Sequence, residues 1–188
     1  TTNIGFKKIN NQNVSYEKIL NTNYYKSDPS SKDLFKQLSE SLKHNYHPFL
    51  LNIRKEYQNE HINIKKINHF KKYPIRNSWN PKNFEATPKN VYVFGGSTVW
   101  GWGERDNKTI PSLISKKLNQ ELNAYNVYNL GQSSYSFEQE VFYLSLLLKD
   151  GHKPDIVIFL DGVNDVYNTV INNKPGATYS YNKMIDLL

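Results

Sequence analysis

The chain has 188 residues, and its 24 lysines and arginines outnumber its 17 aspartates and glutamates, giving a formal net charge of +7. It contains no cysteine, which excludes disulfides and thiolate metal sites within it, and no apolar run approaches the roughly 18 residues of a membrane-spanning helix. The mean hydropathy of −0.70 indicates a polar surface, and the scattered lysines belong to no recognised nucleic-acid motif. We therefore expect a globular chain with no membrane span and no nucleic-acid partner.

Residues 1–88 are interpreted as an N-terminal extension. Its first 30 residues are polar and lack steady periodicity, and a helix of about residues 31–44 follows them. The apolar residues that recur at helical spacing in this helix are Leu34, Phe35, Leu38 and Leu42. The stretch from Ile53 to Ile67 reads as irregular or strand-like, and a proline-punctuated linker completes the extension. A lid, a dimerisation surface and a spacer all stay open as its role.

Residues 89–188 alternate between short apolar strands and amphipathic helices. The expected strands cover residues 91–94, 127–130 and 155–160. The first helix is expected to begin at Thr109 and to run to about Asn123, and the second to begin at Ser136 and to end before Gly151. The residues expected to face the core from the second helix are Phe137, Val141, Leu144 and Leu148. This order predicts an α/β fold with a central parallel sheet covered on both faces.

Each of the three expected strands is followed by a residue suited to acyl transfer. Ser97 follows Gly95-Gly96 after the first strand, Gly131 follows the second, and Asn164 follows the third. Because the carboxyl ends of parallel strands meet at one edge of a sheet, we expect Ser97, Gly131 and Asn164 to converge. The hydroxyl of Ser97 is then a candidate nucleophile. The N–H groups of Ser97 and Gly131 and the amide of Asn164 form a candidate oxyanion hole.

Phosphate and dinucleotide sites also use a glycine-rich turn between a strand and a helix. The phosphate-binding loop requires a lysine at its end, but no lysine lies between Lys89 and Lys108. The stretch 101–103 reads Gly-Trp-Gly but lacks the third glycine of the dinucleotide fingerprint. The nucleophilic serine is therefore the favoured interpretation, although an ordinary turn or capping role stays open for each candidate residue. Trp100 and Trp102 either line an acyl or sugar pocket or cover the end of the sheet.

The three strand ends resemble the conserved blocks of the SGNH (GDSL-like) hydrolase family. Gly95-Gly96-Ser97-Thr98 stands where the family has Gly-Asp-Ser, with glycine in place of the usual aspartate. Asn129-Leu130-Gly131 resembles the second block, and Gly162-Val163-Asn164-Asp165 resembles the third. The resemblance covers residues 89–166 and implies a three-layer, flavodoxin-like fold. It also implies hydrolysis of a small-molecule or glycan-linked ester, or acyl transfer to a sugar, without a metal or organic cofactor.

The fourth block of that family, Asp-x-x-His, has no counterpart in this chain. No histidine follows Asn164, and the only carboxylates after it are those of Asp165 and Asp186. His152 precedes the third strand and is therefore expected at the edge of the sheet opposite Ser97. The catalytic base is consequently unknown.

We interpret residues 89–188 as the first half of an SGNH hydrolase domain whose catalytic Asp and His lie in a missing C-terminal part. A serine without a base is a poor nucleophile, so the 188 residues alone are expected to show little esterase activity. Two alternatives stay open: a non-catalytic binding module on the same fold, and an O-acetyltransferase that acts on surface glycans. A cell-envelope or secreted location is favoured slightly over the cytoplasm, and the oligomeric state is open.

Overall fold

The computed structural model describes residues 18–178, which begin with short helices and a hairpin. These elements are α1 (Asn23–Lys26), α2 (Ser31–Glu40), β1 (His44–His47) and β2 (Leu51–Arg54). The expected helix of residues 31–44 is confirmed, but it ends earlier, because His44 begins the strand β1 that pairs antiparallel with β2. Its inward face buries Leu34, Phe35 and Leu38, as the spacing predicts.

A six-stranded sheet forms the centre of the molecule, in the order β3-β4-β5-β7-β6-β8. Its strands are β3 (Tyr57–Gln58), β4 (Asn63–Lys65), β5 (Ile75–Arg76), β6 (Lys89–Gly95), β7 (Tyr125–Asn129) and β8 (Ile156–Leu160). β6 pairs in parallel with β7 and β8, whereas β3, β4 and β5 pair antiparallel. The fold is therefore α/β with a mixed sheet, and the expectation of a parallel sheet is wrong for its β3–β5 side. The short connections between β3, β4 and β5 leave no room for a crossover helix, so these strands pair antiparallel.

Helices follow the three parallel strands. They are α3 (Ser97–Trp100), a 3-10 turn (Asp106–Lys108), α4 (Ile110–Leu118), α5 (Phe137–Lys149) and α6 (Val163–Asn172). Thr109 caps α4 as predicted, because its Oγ1 accepts from the N–H of Ser112 at 3.4 Å. At the start of α5, the side chain of Gln139 accepts from the N–H of Ser136 at 3.2 Å, as a capping box requires. No helix over the described residues is long and apolar enough to cross a membrane.

Helix α4 ends sooner than its apolar pattern predicts. The side chain of Asn119 donates to the carbonyls of Ser115 and Tyr125 at 2.9 Å each. Its Oδ1 accepts from the N–H groups of Ala124 at 3.0 Å and Tyr125 at 2.9 Å. These bonds satisfy the backbone groups of a turn, so the chain leaves the helix at Asn119 and enters β7. The expected continuation to Asn123 is wrong for this reason.

The core lies on both faces of β6. Tyr92 and Phe94 pack toward α5, where Tyr143 and Leu147 are fully buried, in a cluster rich in aromatic side chains. Val91 and Val93 point to the other face, toward α4. This alternation is that of a strand with helices on both sides, which agrees with the continuous apolar pattern of residues 91–94.

One side of the molecule carries many exposed apolar residues. Phe137, Val141 and Leu148 of α5 are 46, 39 and 49 % exposed, so their predicted inward orientation is wrong. Helix α5 is apolar on two sides, and the side that contains Tyr143 and Leu147 is the one that packs on the sheet. The remaining exposed apolar residues on this side are Phe142, Ile156, Leu160, Val163, Val166, Tyr167, Val170 and Ile171. Together with the three residues of α5, they form what we call the β8-side apolar surface.

Candidate active site

Ser97 is the first residue of α3 and directly follows the turn after β6. Its backbone carbonyl accepts from the N–H groups of Gly101 and Trp102 at 3.0 Å each, and that of Gly96 accepts from Trp100 at 3.0 Å. These bonds close a single helical turn that fixes the position of Ser97. The side chain is half-buried, and its Oγ has no hydrogen-bond partner within residues 18–178.

Asn164 lies immediately beside the residue that precedes Ser97. A Cβ atom placed on Gly96 would lie only 2.5 Å from Nδ2 of Asn164. The same Nδ2 donates to the carbonyl of Tyr135 at 2.8 Å, which orients the amide. Because an amide nitrogen carries two hydrogens, one of them stays free to donate to a second acceptor. The glycine at position 96 therefore makes room for the Asn164 amide.

Gly131 packs directly against the backbone of α3. A Cβ atom placed on it would lie 2.4 Å from the backbone nitrogen of Trp100 and 2.9 Å from the carbonyl carbon of Val99. Its own N–H donates to Oδ1 of Asn129 at 3.0 Å, while Nδ2 of Asn129 donates to the carbonyl of Val99 at 3.1 Å. Asn129 thus clamps the Gly131 loop to α3. The Gly131 N–H can donate to an oxyanion only if it bonds to that oxygen and to Oδ1 of Asn129 together, or if Asn129 releases it.

The three residues proposed from the sequence are thus brought to one edge of the sheet. Asn164 adjoins Gly96, Gly131 adjoins Val99 and Trp100 of α3, and Ser97 lies between these contact residues along the chain, at the start of that helix. Comparison with known proteins assigns no family to the chain, since it matches neither a protein-family model nor a curated protein. The chemical interpretation therefore depends on this geometry.

No histidine within the described residues hydrogen-bonds to Ser97. His69 and His152 instead bond to the Tyr92 hydroxyl at 2.6 and 3.0 Å, and His152 stacks on Phe70 with ring centroids 4.8 Å apart. His69 also lines two open cavities, of about 360 and 330 Å³, and none of the three candidate residues lines either one. Between residues 18 and 178, no group of three His, Cys, Asp or Glu side chains suits a metal ion.

A group of carboxyl side chains adjoins Asn164, and the sequence analysis did not assign it a role. Oδ1 of Asp165 accepts from the N–H of Phe137 at 2.9 Å, at the start of α5. Glu140 is 1 % exposed, and neither of its oxygens has a hydrogen-bond partner in the described part of the chain. Burial, and then the nearby charges of Asp161 and Asp165, raise the pKa of Glu140 to about 9. Glu140 is therefore protonated at neutral pH and is not a base for Ser97.

Arg76 fixes the loop that follows Ser97, a role that sequence reasoning missed. It is 1 % exposed and forms an ion pair with Asp106 at 3.0 Å. Its guanidinium donates to the carbonyls of Trp100 at 2.8 Å, Gly101 at 2.7 Å and Glu104 at 2.5 Å. The available signal was the rarity of arginine, since only three residues among the 24 basic ones are arginines and this side chain suits buried, forked hydrogen bonding.

Trp100 is 1 % exposed and packs with residues of α2 and β4. The guanidinium carbons of Arg54 and Arg76 lie 4.4 and 4.5 Å from its ring centroid. This side chain is therefore hydrophobic cover rather than the wall of an open pocket, which decides between the two interpretations left open for it.

Proposed function

We propose that this protein is a serine acyl hydrolase of the SGNH type, which cleaves carboxylic esters through an acyl-enzyme on Ser97. The observation that supports this proposal is the meeting of three strand ends at the turn and helix that hold Ser97. The Asn164 amide touches Gly96, and Gly131 touches the helix that Ser97 begins. The parallel strands β7, β6 and β8 suit the flavodoxin-like sheet of that family, and the three-layer arrangement belongs to the same proposal.

In the proposed reaction, Oγ of Ser97 attacks the ester carbonyl carbon and the carbonyl oxygen becomes negatively charged. Candidate donors to this oxygen are the free hydrogen of the Asn164 amide and the N–H of Ser97, and the shared N–H of Gly131 is a third. The loss of one such donor typically costs about 3–4 kcal/mol of transition-state stabilisation. The alcohol then leaves with the proton that the base took from Ser97, and water hydrolyses the acyl-Ser97 ester to the free acid and restores the hydroxyl. Both steps need a base to take up a proton.

We place the base and its partner carboxylate on polypeptide that covers the β8-side apolar surface. Within the described residues, β8 pairs with β6 only, so one edge of this strand is open. Residues 156–160 are all apolar, a pattern typical of a parallel strand with neighbours on both sides. A parallel strand added beside β8 would place its own carboxyl end at the edge of the sheet where Ser97 lies.

A chromogenic acetyl ester assay tests the proposal. The 188-residue chain is expected to show little turnover by itself, and added imidazole is expected to supply the missing base and to raise turnover. The Ser97→Ala variant gives the background, because imidazole also hydrolyses such esters in solution. Equal rates for both proteins with imidazole would overturn the nucleophile assignment. Ser97-dependent turnover without imidazole would instead show that a base exists within the chain.

A non-catalytic binding module is the second candidate, and the absence of any hydrogen-bond partner for Ser97 Oγ among the described residues favours it. This candidate predicts that glycan esters bind without turnover, with or without imidazole. A glycan acceptor added to the assay separates an acetyltransferase from both, because only a transferase moves the acetyl group to the glycan in competition with water.

A further inference from the structure

Arg54 carries a buried positive charge without a carboxylate partner. It ends β2 and is 0 % exposed. Its Nη1 donates to the carbonyl of Ser41 at 3.2 Å, its Nη2 donates to Oγ of Ser133 at 2.5 Å, and its Nε has no partner in the described chain. No ion pair within residues 18–178 includes Arg54. Apart from these two hydrogen bonds, its guanidinium carbon lies 4.4 Å from the ring centroid of Trp100, and a buried charge without a carboxylate partner is costly to retain.

The other buried arginine on Trp100 provides the contrast. Arg76 is equally buried, but it is neutralised by Asp106. Glu104 also acts electrostatically on Arg76, whereas no carboxylate acts on Arg54. Burial, followed by repulsion from Arg76, lowers the pKa of Arg54 to about 9, which still leaves the guanidinium protonated at neutral pH.

Ser133 links the charge of Arg54 to the edge of the sheet where Ser97 lies. It lies two residues after Gly131, in the loop that packs on α3, and its side chain is half-buried. Because its Oγ accepts a hydrogen from Arg54, its own hydroxyl hydrogen must be donated elsewhere. No acceptor for that hydrogen exists among the described residues. The hydroxyl is therefore a donor directed away from the buried guanidinium.

The acidic groups near this loop do not neutralise Arg54. Among the side chains that act on it electrostatically, Arg76 is positive, and Tyr135 is neutral at ordinary pH because burial raises the pKa of its phenol. Glu140 acts electrostatically on Tyr135 but keeps its proton, as described above. The positive charge of Arg54 is therefore presented at this edge of the sheet by the Ser133 hydroxyl.

We propose that Ser133, backed by Arg54, binds an anionic oxygen of a carboxylate or phosphate group, and that the ester cleaved at Ser97 carries such a group. The claim about the substrate rests on the proposed function, whereas the claim about anion binding does not. Hydrogen bonds to charged groups contribute roughly 1.5–3 kcal/mol, or about ten- to a hundredfold in affinity, when they are not fully exposed.

Titration of the isotope-labelled 188-residue chain with inorganic phosphate and, separately, with acetate tests this site at constant ionic strength. The backbone amide signals of Ser133 and Ser134 are expected to shift in a saturable way with at least one of the two anions. The Arg54→Met and Ser133→Ala variants are each expected to bind about tenfold more weakly. Arg105→Met is the matched control, since Arg105 pairs with Asp28 at 2.6 Å. This variant is expected to leave the affinity for the anion unchanged.

A response to phosphate alone points to a phosphorylated substrate, and a response to acetate alone points to a carboxylate. If Arg54→Met does not fold, Ser133→Ala decides, because it removes only the hydroxyl. Absence of saturable shifts at Ser133 overturns the anion site, as does wild-type affinity in the Ser133→Ala variant. Ser97→Ala is expected to bind the anion normally, so loss of the site and loss of the proposed esterase activity are separate results.

Discussion

Gly131 has no room for a side chain, because a Cβ atom would lie 2.4 Å from the backbone nitrogen of Trp100. We expect Gly131→Ala to push the loop away from α3, to cost about 1–3 kcal/mol in the free energy of unfolding and to lower imidazole-assisted turnover. Urea unfolding and the ester assay measure the two effects. Gly151→Ala measures a different cost, since a Cβ atom at Gly151 meets nothing within 4 Å but φ there is +90°, whereas Gly131 has no positive φ. Unchanged stability and turnover in Gly131→Ala would contradict the close contact.

Asn164 is expected to affect the reaction far more than the fold. Asn164→Ala removes the amide beside Gly96, and we expect kcat to fall by about a hundredfold or more with little change in KM. The control is Asn172→Ala on the same helix, whose amide donates only to the carbonyl of Asn168 at 2.8 Å. Both variants are assayed with imidazole. A similar loss in the control, or a change confined to KM, would contradict a role in stabilising the oxyanion.

At the scale of elements, a side-chain amide takes the place of a strand beside β7. Nδ2 of Asn80 donates to the carbonyl of Val127 at 2.9 Å, and its Oδ1 accepts from the N–H of Val127 at 2.8 Å. Ser115 of α4 donates to the same Oδ1 at 2.7 Å. Asn80 thus fastens the segment before β6 to both the sheet and a helix.

We expect Asn80→Ala to destabilise the protein by about 1–3 kcal/mol, because it leaves the backbone groups of Val127 without partners. Equilibrium urea unfolding measures the change. Asn83→Ala, at an exposed position three residues later, is expected to have little effect. If the two variants unfold at the same urea concentration, the Asn80 amide does not hold the segment.

The elements also show what sequence can and cannot predict. The strands at Val91 and Val127 and the caps at Thr109 and Ser136 were predictable, because apolar runs and capping chemistry act over a few neighbouring residues. The burial of α5 was not, because both of its sides are apolar and only tertiary packing selects the side with Tyr143. The arginines around the site were missed for a related reason. Their partners are distant in sequence, as with Arg54 and Ser133, which are 79 positions apart.

For the whole molecule, Glu140 makes stability depend on pH. Its pKa is raised from an ordinary 4.5 to about 9, so the folded state holds this proton more tightly than the unfolded state does. The resulting stabilisation is complete below about pH 4.5 and is lost as the pH rises toward 9. We expect Glu140→Gln to flatten this decline, as measured by urea midpoints at several pH values from about 6 to 9. Glu138→Gln is the control, since Glu138 is exposed, and it should keep the wild-type slope. A wild-type slope in Glu140→Gln would contradict this account.

The early part of the chain is expected to be needed for folding. Residues 57–76, which the sequence analysis placed in an extension, supply three strands to the same sheet as β6–β8. A fragment of residues 89–188 lacks these strands and also lacks Arg76 and Asn80. We expect it to show no cooperative thermal unfolding by circular dichroism, in contrast to the full chain. A cooperative transition in the fragment would show that the second half folds alone.

The hydrogen bonds between Arg76 and the carbonyls after Ser97 also limit how the proposed catalytic centre can be moved into another protein. A designer who copies only the serine turn and its two companion loops into another scaffold leaves those carbonyls without their donor. The smallest set of segments that can be moved therefore includes β5, which holds Arg76. It also includes Asp106, which balances the charge of Arg76.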